Sequence, residues 1–194
     1  KERPVAFLTP PGFRYVALQW GIWRAGGIAV PLSVSHPRPE LEYVLADTEP
    51  AAVLADSDFV SRLQPSALGL GFRFARAAQA LEHAPGPLPD VAPARRAMIL
   101  YTSGTTGRPK GVVLTHRNLM AQIESLVEAW EWKASDRILE FLPLHHIHGI
   151  VNVISCALWA GAVCEILPGF DARAVWERIG RGGLTLFMAV PTIY

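Results

Sequence analysis

Short apolar runs, too brief for helices, alternate along this chain with stretches whose apolar residues recur at helical spacing. Residues 5–8 form the first run, closed by Pro10-Pro11-Gly12. Phe13, Val16, Ala17, Trp20 and Trp23 then share one helical face, and Gly26-Gly27 stops that helix. Residues 28–32 read as a second strand. Pro39 opens a helix whose inner face is Leu41, Val44 and Leu45. Residues 52–55 are a third strand, a short helix follows from Ser57, and residues 72–74 supply a fourth strand. Such alternation predicts an α/β fold with largely parallel sheets.

Residues 79–94 hold Pro85, Gly86, Pro87, Pro89 and Pro93. Proline at that density removes backbone donors and breaks helices, so this stretch is expected to be a linker or long surface loop. The expected organisation is a first α/β lobe over residues 1–78, the proline-rich segment over 79–96, and a second lobe over 97–194. In the second lobe Leu119, Ile123, Leu126, Val127 and Trp130 mark a long helix, and residues 138–142 a strand. A buried helix is expected over 150–159 and a strand over 162–167. Asp171 reads as the N-cap of the next helix, and residues 184–190 as the last strand. Trp20, Trp23, Trp130, Trp159 and Trp176 fall on helical faces and are expected in the core. Arg14, Arg24 and Arg137 read as surface charges.

One loop carries chemistry. Tyr101-Thr102-Ser103-Gly104-Thr105-Thr106-Gly107-Arg108-Pro109-Lys110-Gly111 follows an apolar run at 98–100 and precedes a helix expected from Thr115. Glycines let backbone N–H groups approach phosphate oxygens closely. Thr102, Ser103, Thr105 and Thr106 add rotatable donors, and Lys110 adds a point charge. Strand, loop and helix in this order suit a nucleoside triphosphate. The spacing is not that of a Walker loop, because Pro109 precedes Lys110 and Gly111 follows it, and G-x-G-x-x-G is absent.

That loop, T-S-G-T-T-G-x-P-K-G, resembles the phosphate-loop signature of the adenylate-forming enzymes: acyl-CoA synthetases, luciferases and peptide-synthetase adenylation domains. Three other stretches are similar to family elements, in the family's order. They are Trp23-Arg24-Ala25-Gly26-Gly27-Ile28-Ala29-Val30-Pro31-Leu32, Leu142-Pro143-Leu144-His145-His146-Ile147-His148-Gly149, and Val190-Pro191-Thr192-Ile193-Tyr194. The resemblance covers essentially the whole chain. Residues 145–152 and 187–194 look closest to malonyl- and methylmalonyl-CoA synthetases.

The resemblance implies part of a large N-terminal domain with doubly wound, mostly parallel sheets and flanking helices. It implies a carboxylic acid activated by ATP as an acyl-adenylate, then passed to coenzyme A. Thr102, Ser103, Gly104, Thr105, Thr106, Gly107 and Lys110 would bind the nucleotide, with Thr102 also touching the sphere of a magnesium ion. His146 falls at the family's substrate-side histidine, as the catalytic and acid-orienting candidate. On an extended segment His146 and His148 point to one side and His145 to the other, so one face would present two donors to an anion. His145 sits where relatives often carry an aromatic residue, and both packing and contact stay open for it. For all three imidazoles a structural role is the alternative. Zinc is not expected, because no cysteine or carboxylate stands at ligand spacing.

Family members are considerably longer. The adenine-binding segment, the acidic ribose and magnesium residues and the lysine of a mobile C-terminal domain are expected outside residues 1–194. The chain alone is therefore expected to give little or no complete turnover. A dicarboxylate pocket would need a basic residue beyond Tyr194. Two other readings stay open: an adenylation domain loading an amino or aryl acid onto a carrier protein, and a non-catalytic nucleotide-binding fragment.

Hydrophobic content of 51% excludes a disordered chain. Net charge of +1 with no basic stripe gives no reason to expect nucleic acid. Residues 150–163 carry Asn152 and are shorter than the ~20 residues a membrane span needs. Cys156 and Cys164 match no C-x-x-C spacing and read as buried thiols of a reducing compartment. The cytoplasm is the expected location, with the mitochondrial matrix as the alternative.

Overall fold

The computed structural model describes residues 2–82, 84, 86–102 and 108–194. They form two compact units, Lys1–Arg117 and Asn118–Tyr194.

The first unit holds β1 (Pro4–Leu8), α1 (Phe13–Arg24), β2 (Ile28–Pro31), α2 (Arg38–Thr48), β3 (Ala52–Ala55), a 3₁₀ turn, α3 (Val60–Gly69), β4 (Phe74–Arg76), α4 (Ala77–Glu82), β5 (Arg96–Thr102) and β6 (Lys110–Thr115). Its sheet runs β4-β3-β1-β2-β5-β6. All pairings are parallel except that of β5 with β6. Central parallel strands are covered on both faces, and β2 is accordingly buried along its whole length. Ala6, Leu8, Ile28, Val30, Leu41, Leu45, Val53 and Leu63 build the core between this sheet and its helices.

The structure differs from the sequence reading at several places in this unit. β5 joins β2 through Ala29 and Met98, and β6 joins β5, so both strands belong to the first sheet. The break between units therefore falls after Arg117, not in the proline-rich stretch, and α4 extends into that stretch as far as Glu82. After β5 the next described element is a strand, β6, and only then a helix.

The tryptophan expectation is also corrected. α1 buries Tyr15, Leu18, Gln19 and Ile22, while Phe13 and Trp20 lie on the exposed side. Trp130, Trp159 and Trp176 are exposed as well, and it is Trp132 that is buried. Trp23 is half-buried, its indole N–H donating to the Ala97 carbonyl at 2.8 Å. Gly26, which ends α1, has φ +73°, and a Cβ there would lie 2.9 Å from the Arg95 guanidinium. Arg95 in turn donates to the Gly26 carbonyl at 2.6 Å.

The second unit holds most of α5 (His116–Ala129), then β7 (Arg137–Glu140), a π-helical segment (His148–Ser155) running into α6 (Cys156–Ala160), β8 (Val163–Ile166) and α7 (Ala172–Gly180). β7 and β8 pair in parallel. The strand expected over 184–190 reduces to one bridge between Leu186 and Ile138. Asp171 caps α7 by accepting from the Ala174 N–H at 2.7 Å. Arg137 is not a lone surface charge, because it and Arg178 both hold Glu165. Cys156 is buried, Cys164 half-buried, and both are free thiols. Among the described residues no helix is long and apolar enough to cross a membrane.

Candidate functional site

The hairpin of β5 and β6 sets the geometry around the hydroxyl- and glycine-rich loop. Tyr101 stands opposite Gly111, and Thr102 opposite Lys110. Thr102 and Lys110 are thus cross-strand neighbours where the loop leaves the sheet, and both are exposed. Ser103, Gly104, Thr105, Thr106 and Gly107 lie outside the described residues. β6 comes next in the chain, and α5 begins only at His116.

α2 braces the returning arm of the hairpin. The Tyr43 hydroxyl donates to the Pro109 carbonyl at 3.0 Å, next to Lys110. Its ring meets Tyr101 edge to face at 6.3 Å. The Tyr101 hydroxyl donates to Asp47, and burial, then that carboxylate, pushes the phenol well above its ordinary range. A Cβ on Gly111 would come within 3.0 Å of Ile99 and 3.2 Å of the Tyr101 ring. The motif's last glycine is therefore a packing requirement. An ammonium and a hydroxyl presented side by side suit phosphate oxygens. Among the described residues no three His, Cys, Asp or Glu side chains group to hold a metal ion. A magnesium ion carried chiefly on substrate phosphates would find an oxygen ligand in the Thr102 hydroxyl, whereas the Lys110 ammonium could contact only the phosphates.

The histidine motif lies in the second unit and is not extended. Residues 144 and 145 form a turn in which the His146 N–H donates to the Pro143 carbonyl at 3.2 Å. The Ile150 N–H then donates to the His146 carbonyl at 3.3 Å, and His148 opens the π-helical segment. The expected alternation therefore fails: His145 and His146 are the neighbouring pair, with ring centroids 4.1 Å apart and planes tilted at 45°. His146 is exposed, while His145 and His148 are half-buried. π-Helical segments are uncommon and recur at functional sites. Here the Ser155 hydroxyl donates to the Ile150 carbonyl at 2.7 Å, inside the widened turn. Gln122 on α5 donates to Asn152 at 2.8 Å on the same segment.

Gly149 explains how this segment closes on β7. A Cβ there would lie 3.1 Å from Leu144, 3.2 Å from Glu140 Oε1 and 3.3 Å from Leu142. Glu140 itself escaped the sequence reading. It is fully buried at the end of β7, and its Oε1 accepts the Leu142 N–H. Oε2 has no hydrogen-bond partner among the described residues. Burial pushes this carboxyl up to about 8, against the smaller lowering effect of the Leu142 N–H. The signal was available: one acid inside the otherwise apolar run 138–142.

The family described as AMP-binding enzyme matches residues 1–194. The chain is 44% identical over 204 residues to the mitochondrial malonate–CoA ligase ACSF3 of Mus musculus, covering 100% of this chain and 35% of that protein. ATP-bound MatB from Rhodopseudomonas palustris superposes with a TM-score of 0.90 at 30% identity, covering 100% of this chain and 40% of that one. A malonyl-CoA ligase complex with methylmalonyl-CoA and AMP gives 0.84 at 31% identity, over 98% of this chain and 40% of the other. The chain thus spans about a third of the length of the mouse relative.

Proposed function

The chain belongs to the AMP-binding enzyme family, and from that premise we propose that the full-length protein is an ATP-dependent acid–thiol ligase acting on malonate or methylmalonate. The observation that carries this reading is the likeness, along the whole chain, to proteins named malonate–CoA ligases. The phosphate hairpin and the histidine motif stand within that likeness.

In the first half-reaction a carboxylate oxygen attacks the α-phosphorus of ATP. The bond from that phosphorus to the bridging oxygen breaks, and pyrophosphate leaves with the electron pair. Both reactants are anions, so charge must be neutralised and the partners aligned. Lys110 and Thr102, with residues 103–107, would hold the phosphates of the leaving group. Magnesium would supply further charge neutralisation on those phosphates. His146 would orient the acid, with His148 as a second donor. In the second half-reaction the coenzyme A sulfur attacks the acyl carbon, AMP leaves with the bonding pair, and the thiol proton passes to solvent. The name of the mouse relative supports the mitochondrial alternative over the cytoplasmic one. The mobile C-terminal domain remains part of this proposal, for the full-length protein.

Acid-dependent exchange of labelled pyrophosphate into ATP by the full-length protein tests the reading. The panel is malonate, methylmalonate, acetate, longer fatty acids and amino acids. Exchange with malonate or methylmalonate alone is expected. Exchange with amino acids instead would move the protein to carrier-loading adenylation domains, and exchange with no acid would refute adenylation altogether.

A further inference from the structure

Glu140 is the one fully buried acid among the described residues, and the chemistry above leaves it unused. An isolated carboxyl in an apolar site is costly unless something local compensates it. Its strand neighbours Ile138 and Leu139 are buried hydrophobics. One compensation is present: Oε1 accepts from the Leu142 N–H. The same oxygen sits where a side chain on Gly149 would have to go. The carboxyl is therefore wedged between the exit of β7 and the start of the π-helical segment. From Leu142 the restraints continue: Pro143 accepts from the His146 N–H, and His146 accepts from the Ile150 N–H.

We propose that Glu140 is a positioning residue for the histidine motif: its carboxyl, seated between the Leu142 N–H and the Gly149 backbone, fixes the turn that carries His146, an inference that rests on reading His146 as the acid-side residue. The wedge suits an un-ionised carboxyl, because burial opposes charge there and only one N–H offsets it. Of the elements against β7, β8 brings Cys164 and Glu165, and the π-helical segment brings His148. Burial, then the charges of Glu140 and Glu165, holds the Cys164 thiol up at about 12, so it stays neutral through the alkaline range. Glu165 is engaged by Arg137 and Arg178. Raising the pH through about 8 then places a charge in the wedge and loosens the turn.

The test uses the full-length protein as wild type, Glu140→Gln, Glu140→Ala and His146→Ala. Amide hydrogen exchange is read over residues 141–150, and pyrophosphate exchange gives separate KM values for acid and ATP. Losing a buried hydrogen bond of this kind costs roughly tenfold or more in the equilibrium it holds. Glu140→Ala should therefore lose about tenfold in protection at Leu142 and raise acid KM about tenfold, with ATP KM little changed. Glu140→Gln keeps an acceptor and cannot ionise, so it should retain acid KM at pH 7. Wild-type acid KM should rise about tenfold between pH 7 and pH 9, as the un-ionised fraction falls around a midpoint of about 8, and Glu140→Gln should lack that rise. Unchanged protection in Glu140→Ala, or the same alkaline rise in wild type and Glu140→Gln, overturns the assignment. Unchanged acid KM in Glu140→Ala also overturns it. If His146→Ala is equally silent, the acid-side reading of the motif falls with it, and the hydrogen-exchange result still reports on Glu140 alone.

Discussion

Replacing Glu140 by Gln should change how the second unit's stability depends on pH, and the size of the effect follows from the site. An ordinary glutamate titrates near 4.5, and burial holds Glu140 at about 8. The folded state therefore keeps a proton that the unfolded chain releases throughout that window. The unfolded state binds fewer protons there, so stability falls as pH rises, and the loss is complete only above about 8. Below 4.5 both states are protonated and the folded unit pays no penalty. At about 1.4 kcal/mol per pH unit the whole window amounts to about 5 kcal/mol, most of which accumulates between pH 5 and pH 8. Glu140→Gln has no such dependence. Its amide brings N–H donors to a place where Oε2 finds no partner, which adds a constant offset and no slope.

The two cysteines supply the assay. Cys156 and Cys164 both lie in the second unit, their thiols held at about 11 and about 12 chiefly by burial. Urea-dependent alkylation of the full-length protein, resolved by peptide mass, reports opening of this unit. Cys156, whose thiol is raised by burial alone, is the readout, and comparing the two proteins at one pH cancels its ionisation. The variant's advantage over wild type should grow by roughly 3 to 4 kcal/mol from pH 5 to pH 8. A difference constant with pH to within about 1 kcal/mol would show that Glu140 is ionised in the folded protein, and would refute the burial argument.

Four substitutions probe the rest. Lys110→Ala should slow pyrophosphate exchange by on the order of a hundredfold, as for loss of a preorganised charge on the leaving group; an unaltered rate would remove Lys110 from the phosphate site. His146→Ala should raise acid KM far more than ATP KM, and an equal rise in both would argue for a purely structural histidine. Tyr43→Phe deletes the hydroxyl on the Pro109 carbonyl and should cost about 1 kcal/mol with faster amide exchange over 110–115, whereas exchange at the wild-type rate would mean that α2 does not brace the hairpin. Gly26→Ala meets both a left-handed backbone and the Arg95 guanidinium and should destabilise by roughly 1–3 kcal/mol; an unchanged melting temperature would show that Arg95 can simply move aside.

What could be read from the chain and what could not divides along the range of the interactions. β1, β2 and β3 are legible because each is an apolar run, buried throughout in β2 and over the last three residues of β1 and β3, as central parallel strands are. β6 is not, because it opens on Lys110-Gly111 and leaves Val112 and Val113 exposed at a sheet edge, so its pattern reads as loop. The break between units is hard to read because the join of β2 to β5 spans dozens of residues and leaves no local mark. On α1 two apolar stripes compete, and the buried stripe is the one a hydropathy pattern ranks lower, because it carries Gln19, whose Oε1 accepts from the Tyr15 hydroxyl at 3.0 Å while Nε2 has no partner among the described residues. The candidate phosphate residues are legible as chemistry, since hydroxyls, glycines and a lysine in one loop need no fold to make sense. The histidines are legible as a set but not as a geometry: period two assumes an extended segment, and the turn that breaks it is held by Glu140 and Gly149 from outside the triplet. Glu140 shows why burial is the hardest property to read. An acid in an apolar run is an anomaly in sequence, but only the strand and the π-helical segment closing over it make that anomaly a titratable hinge for the residues that follow.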